Sequence, residues 1–203
     1  MELSALAGRQ AFMNIPSAAA SGIRYTPTTA RERVAEFAET ITSPVPEDGF
    51  PTEAVAALTQ SGLLSAPLPP DYGGCGLGLL PGTMRPLLET LRAVGRVDLS
   101  VGRLYEGHCN ALQLVAQFGT DAQFSQTALD TAAGHMFAVW NTQGVHGIDL
   151  LDGDAGPVLD GEKTYCSGVG HISRPIVTVS PDREDGPWMC LLRADELPLK
   201  ADA

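Results

Sequence analysis

The sequence predicts an α+β protein, an N-terminal helical bundle followed by an antiparallel β-domain. Three observations predict it. Apolar residues recur at three- and four-residue steps as far as Gly134 and alternate after it. The helical and strand-like segments form two blocks rather than interleaving, which signals α+β segregation. No internal repeat or low-complexity tract interrupts either block.

The chain has 203 residues, 44 % of them hydrophobic, enough for one large domain or two small ones around a real core. Acidic residues outnumber basic ones 24 to 13, giving a formal charge of −11, and the basic residues are scattered, which argues against nucleic acid as a partner. No segment approaches the ~20 apolar residues of a membrane span, and no basic start leads into an apolar run of secretory length. The expectation is a cytoplasmic protein with no membrane contact, whose residues 1–26 form a weakly ordered lead-in. Cys75, Cys109, Cys166 and Cys190 lie far apart, without a C-x-x-C pair or a His at metal-ligand spacing. Buried free thiols are expected, and no metal site.

The helical domain is expected over 27–134. Thr28 or Thr29 caps a helix carrying Val34, Phe37, Ala38 and Ile41, ended by Pro44 and Pro46. A second helix starts near Thr52, with Val55, Leu58, Leu63 and Leu64 on its apolar face. In "SAPLPPDYGGCGLGL" (65–79), prolines and glycines forbid regular structure and force a specific loop. Periodicity resumes across Met84, Leu87, Leu88, Leu91 and Val94, and again from Val101 through Leu104, His108 and Leu112 to Phe118, where Gly119 ends the helix. Thr120 is the N-cap of a shorter helix with Phe124, Ala128, Leu129 and Ala132.

The β-domain is expected over 135–203. Its strands read "MFAVWNT" (136–142), "PVLD" (157–160), "KTYCS" (163–167), "PIVTVS" (175–180) and "WMCLLRA" (188–194). If "KTYCS" is extended, Tyr165 and Ser167 share one face, able to set an aromatic ring against a flat ligand and a hydroxyl at its edge. An ordinary half-buried strand with a surface Tyr and Ser satisfies the same pattern. His108 sits on an apolar helix face and reads as a satisfied core histidine; His146 and His171 read as exposed loop residues. The glycines of "DYGGCGLG" lack a preceding strand and the G-x-G-x-x-G spacing of a dinucleotide loop.

Three segments in order, "FPTEAVAALTQSGLLSAPLPPDYGGCGLGL", "EGHCNALQLVAQFGTDAQ" and "LDGEKTYCSGVGHISRPIVTV", resemble the acyl-CoA dehydrogenase family. The family's "T-E-P-x-x-G-S-D" pattern fits "TQGVHGID" at Thr142, Gly147 and Asp149; Gln143 stands for its Glu and Ile148 for its Ser. The resemblance implies an FAD-dependent protein of α,β-oxidation of acyl-CoA. Thr142 and the backbone of Asn141 would bond the polar edge of the flavin, and Gly147 would lie in the same cofactor-binding stretch. Tyr165 would stand beside the ring and Ser167 near N5, where a fixed donor stabilises charge as hydride arrives. In most members of the family a C-terminal bundle carries the catalytic base and completes the FAD site. It has no counterpart up to Ala203, so the resemblance implies an incomplete β-domain and an incomplete FAD site here. The expectation is a chain inactive alone that forms a homo-oligomer or takes a partner chain supplying that domain. A non-catalytic binding or assembly subunit is the other reading.

Overall fold

The computed structural model describes residues 4–6, 27–41, 49–154, 156–181 and 187–196. Five α-helices come first among them: α1 (Pro27–Thr40), α2 (Thr52–Gln60), α3 (Met84–Val97), α4 (Leu99–Phe118) and α5 (Asp121–Ala132). The prolines expected to end α1 lie outside the described residues, as does most of the expected lead-in. One part of that lead-in, Ser4–Leu6, is a strand, β1. The others are β2 (Phe137–Trp140), β3 (Gln143–Gly153), β4 (Gly156–Lys163), β5 (Arg174–Pro181) and β6 (Trp188–Leu191).

α4 is the spine that helices and sheet share. Val101, Leu104, Tyr105, His108, Cys109, Leu112 and Val115 are all buried along it, against α3 on one side and β2 on the other. Asp98 starts it by accepting a hydrogen bond from the Val101 amide at 2.9 Å. Gly119 stops it, and Thr120 opens α5 with a capping box to Gln123, so both sequence signals act where expected. The α3–α4 crossing is close because neither helix carries a side chain there. A Cβ on Gly102 would stand 2.7 Å from the Gly95 Cα.

The 65–79 loop closes on itself. Amides of Cys75 and Leu77 donate to the Ala66 carbonyl at 3.1 and 3.0 Å, and Leu68 and Leu77 point into the core. One 3₁₀ turn, Pro70–Tyr72, is its only regular piece.

The sheet is mixed, not antiparallel as expected. β2 and β3 both run parallel to β5, while β3–β4, β5–β6 and β1–β6 are antiparallel. No helix crosses between the parallel strands, so segregation of helices and strands holds. The cause is that β2 and β3 lie end to end along one edge of β5. Trp140 pairs with Val177, and Asp149 with Ser180. Residues 141–148 therefore loop out where β5 needs only Thr178 and Val179 to cross. This excursion positions the candidate site.

A buried ion pair ties the two blocks together. Arg174 of β5 donates from Nε to Asp130 of α5 at 2.8 Å and from Nη1 to Asp195 at 2.6 Å. The Arg174 side chain is only 5 % exposed and that of Asp130 12 %, so removing Asp130 would deprive a buried guanidinium of its buried partner.

Candidate functional site

Five residues were singled out from sequence: Asn141, Thr142, Gly147, Tyr165 and Ser167. The fold brings them into one neighbourhood, because the Thr164 amide donates to the Thr142 carbonyl at 3.1 Å and Tyr165 follows directly. The local geometry differs from the expected strand. β4 ends at Lys163, and "KTYCS" turns instead of extending. Ser167 donates its amide to the Tyr165 carbonyl at 3.0 Å, closing a tight turn. Alternation therefore does not govern which way Tyr165 and Ser167 face.

The turn is strained at one residue. Tyr165 has φ +56°, the single non-glycine residue in the left-handed region among those described, and its side chain is 87 % exposed. Ser167 is held from behind, its carbonyl accepting from the Trp140 indole Nε1 at 3.2 Å. Such strain persists only where surrounding contacts over-determine it, and it clusters at functional positions.

Residues 141–148 are anchored by a lysine that the sequence reading passed over. Lys163 donates from Nζ to Gln143 Oε1 at 2.8 Å, to Thr178 Oγ1 at 2.8 Å and to the Asn141 carbonyl at 3.5 Å. Thr178 in turn donates to Asn141 Oδ1 at 2.6 Å. Partial burial of the ammonium pushes the Lys163 pKa down from its ordinary value. Asn141 is thus locked by its side chain, whereas the Thr142 hydroxyl makes no hydrogen bond among the described residues and is exposed. Gly147 has φ +67°, and a Cβ there would sit 2.8 Å from Gln143 Oε1, so the excursion needs glycine at that point. Ile148, which stands where the family pattern has Ser, is partly buried against the core instead of presenting a polar group.

Beside the turn lies an open cleft of about 810 Å³ between the starts of α2 and α4 and the 167–171 turn. Phe50, Leu99, Leu104 and Val169 give it apolar walls, and Ser100, Arg103 and Ser167 its polar groups. Arg103 pairs with Glu106 one turn along α4. His171 stacks on Phe50 with ring centroids 4.3 Å apart and planes 5° off parallel. His171 is exposed as expected, and the stack brings it to the cleft. His146 is exposed too, on β3 rather than on a loop. The missed residues share a property: Lys163, Thr178, Phe50 and His171 gain meaning only from long-range pairing. A weak signal existed for Lys163, which sits inside "GEKTYCS" at a strand end.

His108 is structural. Its Nε2–H donates to the Leu64 carbonyl at 2.8 Å, and its Nδ1 accepts from the Phe137 amide at 3.1 Å, which fixes the neutral tautomer. Burial lowers its pKa to about 4, against a smaller opposing effect of the Leu64 bond. The four cysteines are free, three of them buried and Cys166 half-buried. Among the described residues no group of three or more His, Cys, Asp or Glu is placed to hold a metal, and no helix is long and apolar enough to cross a membrane.

A helical block packed on a mixed sheet, with the excursion and the turn side by side at its edge, defines an α+β fold of a recognisable kind. The chain belongs to the acyl-CoA dehydrogenase family, matching "Acyl-CoA dehydrogenase, N-terminal domain" over residues 26–135. It is 27 % identical over 164 residues to the probable FMNH2-dependent monooxygenase SfnC of Pseudomonas putida, covering 77 % of this chain and 39 % of that protein. It is 24 % identical over 171 residues to the short-chain-specific acyl-CoA dehydrogenase of Clostridium acetobutylicum, covering 77 % and 44 %. The fold is also that of TdsC from Paenibacillus sp. A11-2, solved with FMN and indole, at a TM-score of 0.65 and 19 % identity over 83 % of this chain and 43 % of that one. The chain thus spans about two fifths of the length of the relatives it matches.

Proposed function

We propose that residues 141–147 and the 165–167 turn form one wall of a flavin site, and that the adjoining cleft admits the molecule to be oxidised. The observation that carries this is Ser167. It belongs both to the strained turn and to the cleft lining, so a ring held at the turn and a substrate in the cleft meet there.

The residues fit the group. Thr142 and Ser167 offer hydroxyls with no protein partner among the described residues, suited to hydrogen-bonding a polar ring edge. Tyr165 offers an exposed aromatic face, and Gly147 lets the backbone bend close. Asn141 contributes only its main chain, since Thr178 holds its amide oxygen. When bound, a flavin supplies a hydride acceptor. These side chains orient it, shield it from water and donate hydrogen bonds to its edge. FAD is the form the family resemblance implies; the relatives named for FMN share the ring, which is all that these residues address.

For the substrate, the reading is an acyl-CoA thioester oxidised between Cα and Cβ, the apolar walls taking the acyl chain. None of the residues above is assigned as the proton acceptor. A second copy or a partner chain covering the exposed β3–β4 ribbon, which carries Val145, Leu151 and Val158 toward solvent, completes the proposal. The monooxygenase description of SfnC supports a second reading, in which reduced flavin delivers oxygen instead.

Anaerobic mixing of the flavin-loaded protein, assembled with the partner chain proposed above, with butyryl-CoA and palmitoyl-CoA separates the two. Dehydrogenation predicts bleaching of the flavin's visible absorbance without added reductant. Flavin that stays oxidised with every acyl-CoA, yet once reduced transfers an oxygen atom from O2 to an added organic substrate with the other leaving as water, gives the monooxygenase reading.

A further inference from the structure

A second pocket of about 370 Å³ lies between α1 and α3 and shares no lining residue with the cleft. We propose that it binds a small phosphorylated molecule through Arg31, Arg92 and Arg96.

Three exposed arginines from two helices line this one concavity in a protein whose net charge is −11. Other arginines on the described helices and strands have partners. Arg33 donates to the Gly62 carbonyl, Arg85 pairs with Glu89, Arg103 with Glu106, and Arg174 with two carboxylates. Arg31, Arg92 and Arg96 have no hydrogen bond or ion pair among the described residues. The pocket's one carboxylate, Glu89, is engaged by Arg85 at 3.1 Å, which leaves the lining with a surplus of positive charge.

Arg92 and Arg96 stand four apart on α3, where like charges repel across one helical turn. An anion bridging them converts that repulsion into attraction. The floor beneath is apolar, with Ala30 buried and Val34 half-buried, and the three arginines stand exposed around it, able to reach an anion seated there. Planar guanidinium forks match phosphate oxygens two at a time. The volume exceeds what one phosphate group fills and sits at the low end for small-molecule pockets. A phosphomonoester or diphosphate attached to a small organic body therefore suits it better than a free ion.

Isothermal titration of the full chain with pyrophosphate, with AMP and with citrate tests this. The expected result is saturable binding of AMP and pyrophosphate, weakening as salt rises. The double variant R92Q/R96Q should weaken it by at least about tenfold. R103Q, which removes a positive charge in the other cleft, should leave it unchanged. Because R92Q/R96Q relieves a like-charge pair on an exposed face, the variant should melt no lower than the parent, so lost binding cannot be blamed on unfolding. Absence of saturable phosphate binding, equal loss in R103Q, or citrate binding as tightly as pyrophosphate would each overturn the proposal.

Discussion

Tyr165 compresses the account into one residue. A bulky side chain at φ +56° costs stability, and this one recovers nothing by packing, since it is almost fully exposed. Tyr165→Gly should therefore stabilise the fold, by about 1 kcal/mol, in urea denaturation. The same change should weaken flavin binding if the ring serves the site. An unchanged or lower stability would show that the left-handed backbone is not strained there. The strain also explains why the site was only partly legible in sequence. The family resemblance puts Asn141, Thr142, Gly147, Tyr165 and Ser167 in one site, but nothing local in "KTYCS" announces a left-handed tyrosine. A β-branched and aromatic run reads as a strand until its φ angles are known.

At the scale of elements, His108 is the joint between blocks, bonding the turn after α2 through Leu64 and the first residue of β2 through Phe137. Its neutral ring is required in the fold and its pKa is lowered to about 4, whereas an unfolded histidine titrates near 6.5. Between those values the unfolded state binds more protons, so this contribution is full above pH ~6.5 and is lost as pH falls toward ~4. At about 1.4 kcal/mol per pH unit, the loss amounts to roughly 3 kcal/mol. Urea midpoints across that range should decline in the parent. They should decline less in His108→Gln, which keeps a donor and an acceptor but does not titrate. Equal declines would assign the acid sensitivity elsewhere.

Helix stops and starts were legible because they are local chemistry: Gly119 and Thr120 act within one turn of where they stand. Faces were less so. Met84, Leu88 and Leu129 obey the apolar spacing yet are more than half exposed, because which neighbours cover a helix is decided by long-range packing. β3 was missed because "QGVHGIDLLDG" lacks alternation, two of its three glycines, Gly144 and Gly147, serving the excursion and its outer face open to solvent. Parallel pairing of β2 and β3 with β5 has no sequence signature at all, since it depends on the two strands sharing one edge.

For the whole molecule, segregated helices and strands create a seam, and the excursion at 141–148, the strained turn and the cleft all open along it. The central claim is that this seam presents a flavin wall. It is tested most directly by titrating FAD and FMN into the protein and following quenching of flavin fluorescence, in the parent and in a Thr142→Ala/Ser167→Ala variant. Both side chains make no protein hydrogen bonds among the described residues, so the variant should fold as the parent does. Saturable quenching in the parent, weakened about tenfold or more in the variant for the loss of two hydrogen bonds, is the predicted result. Equal affinity in both proteins, or no saturable binding in the parent, would contradict the account.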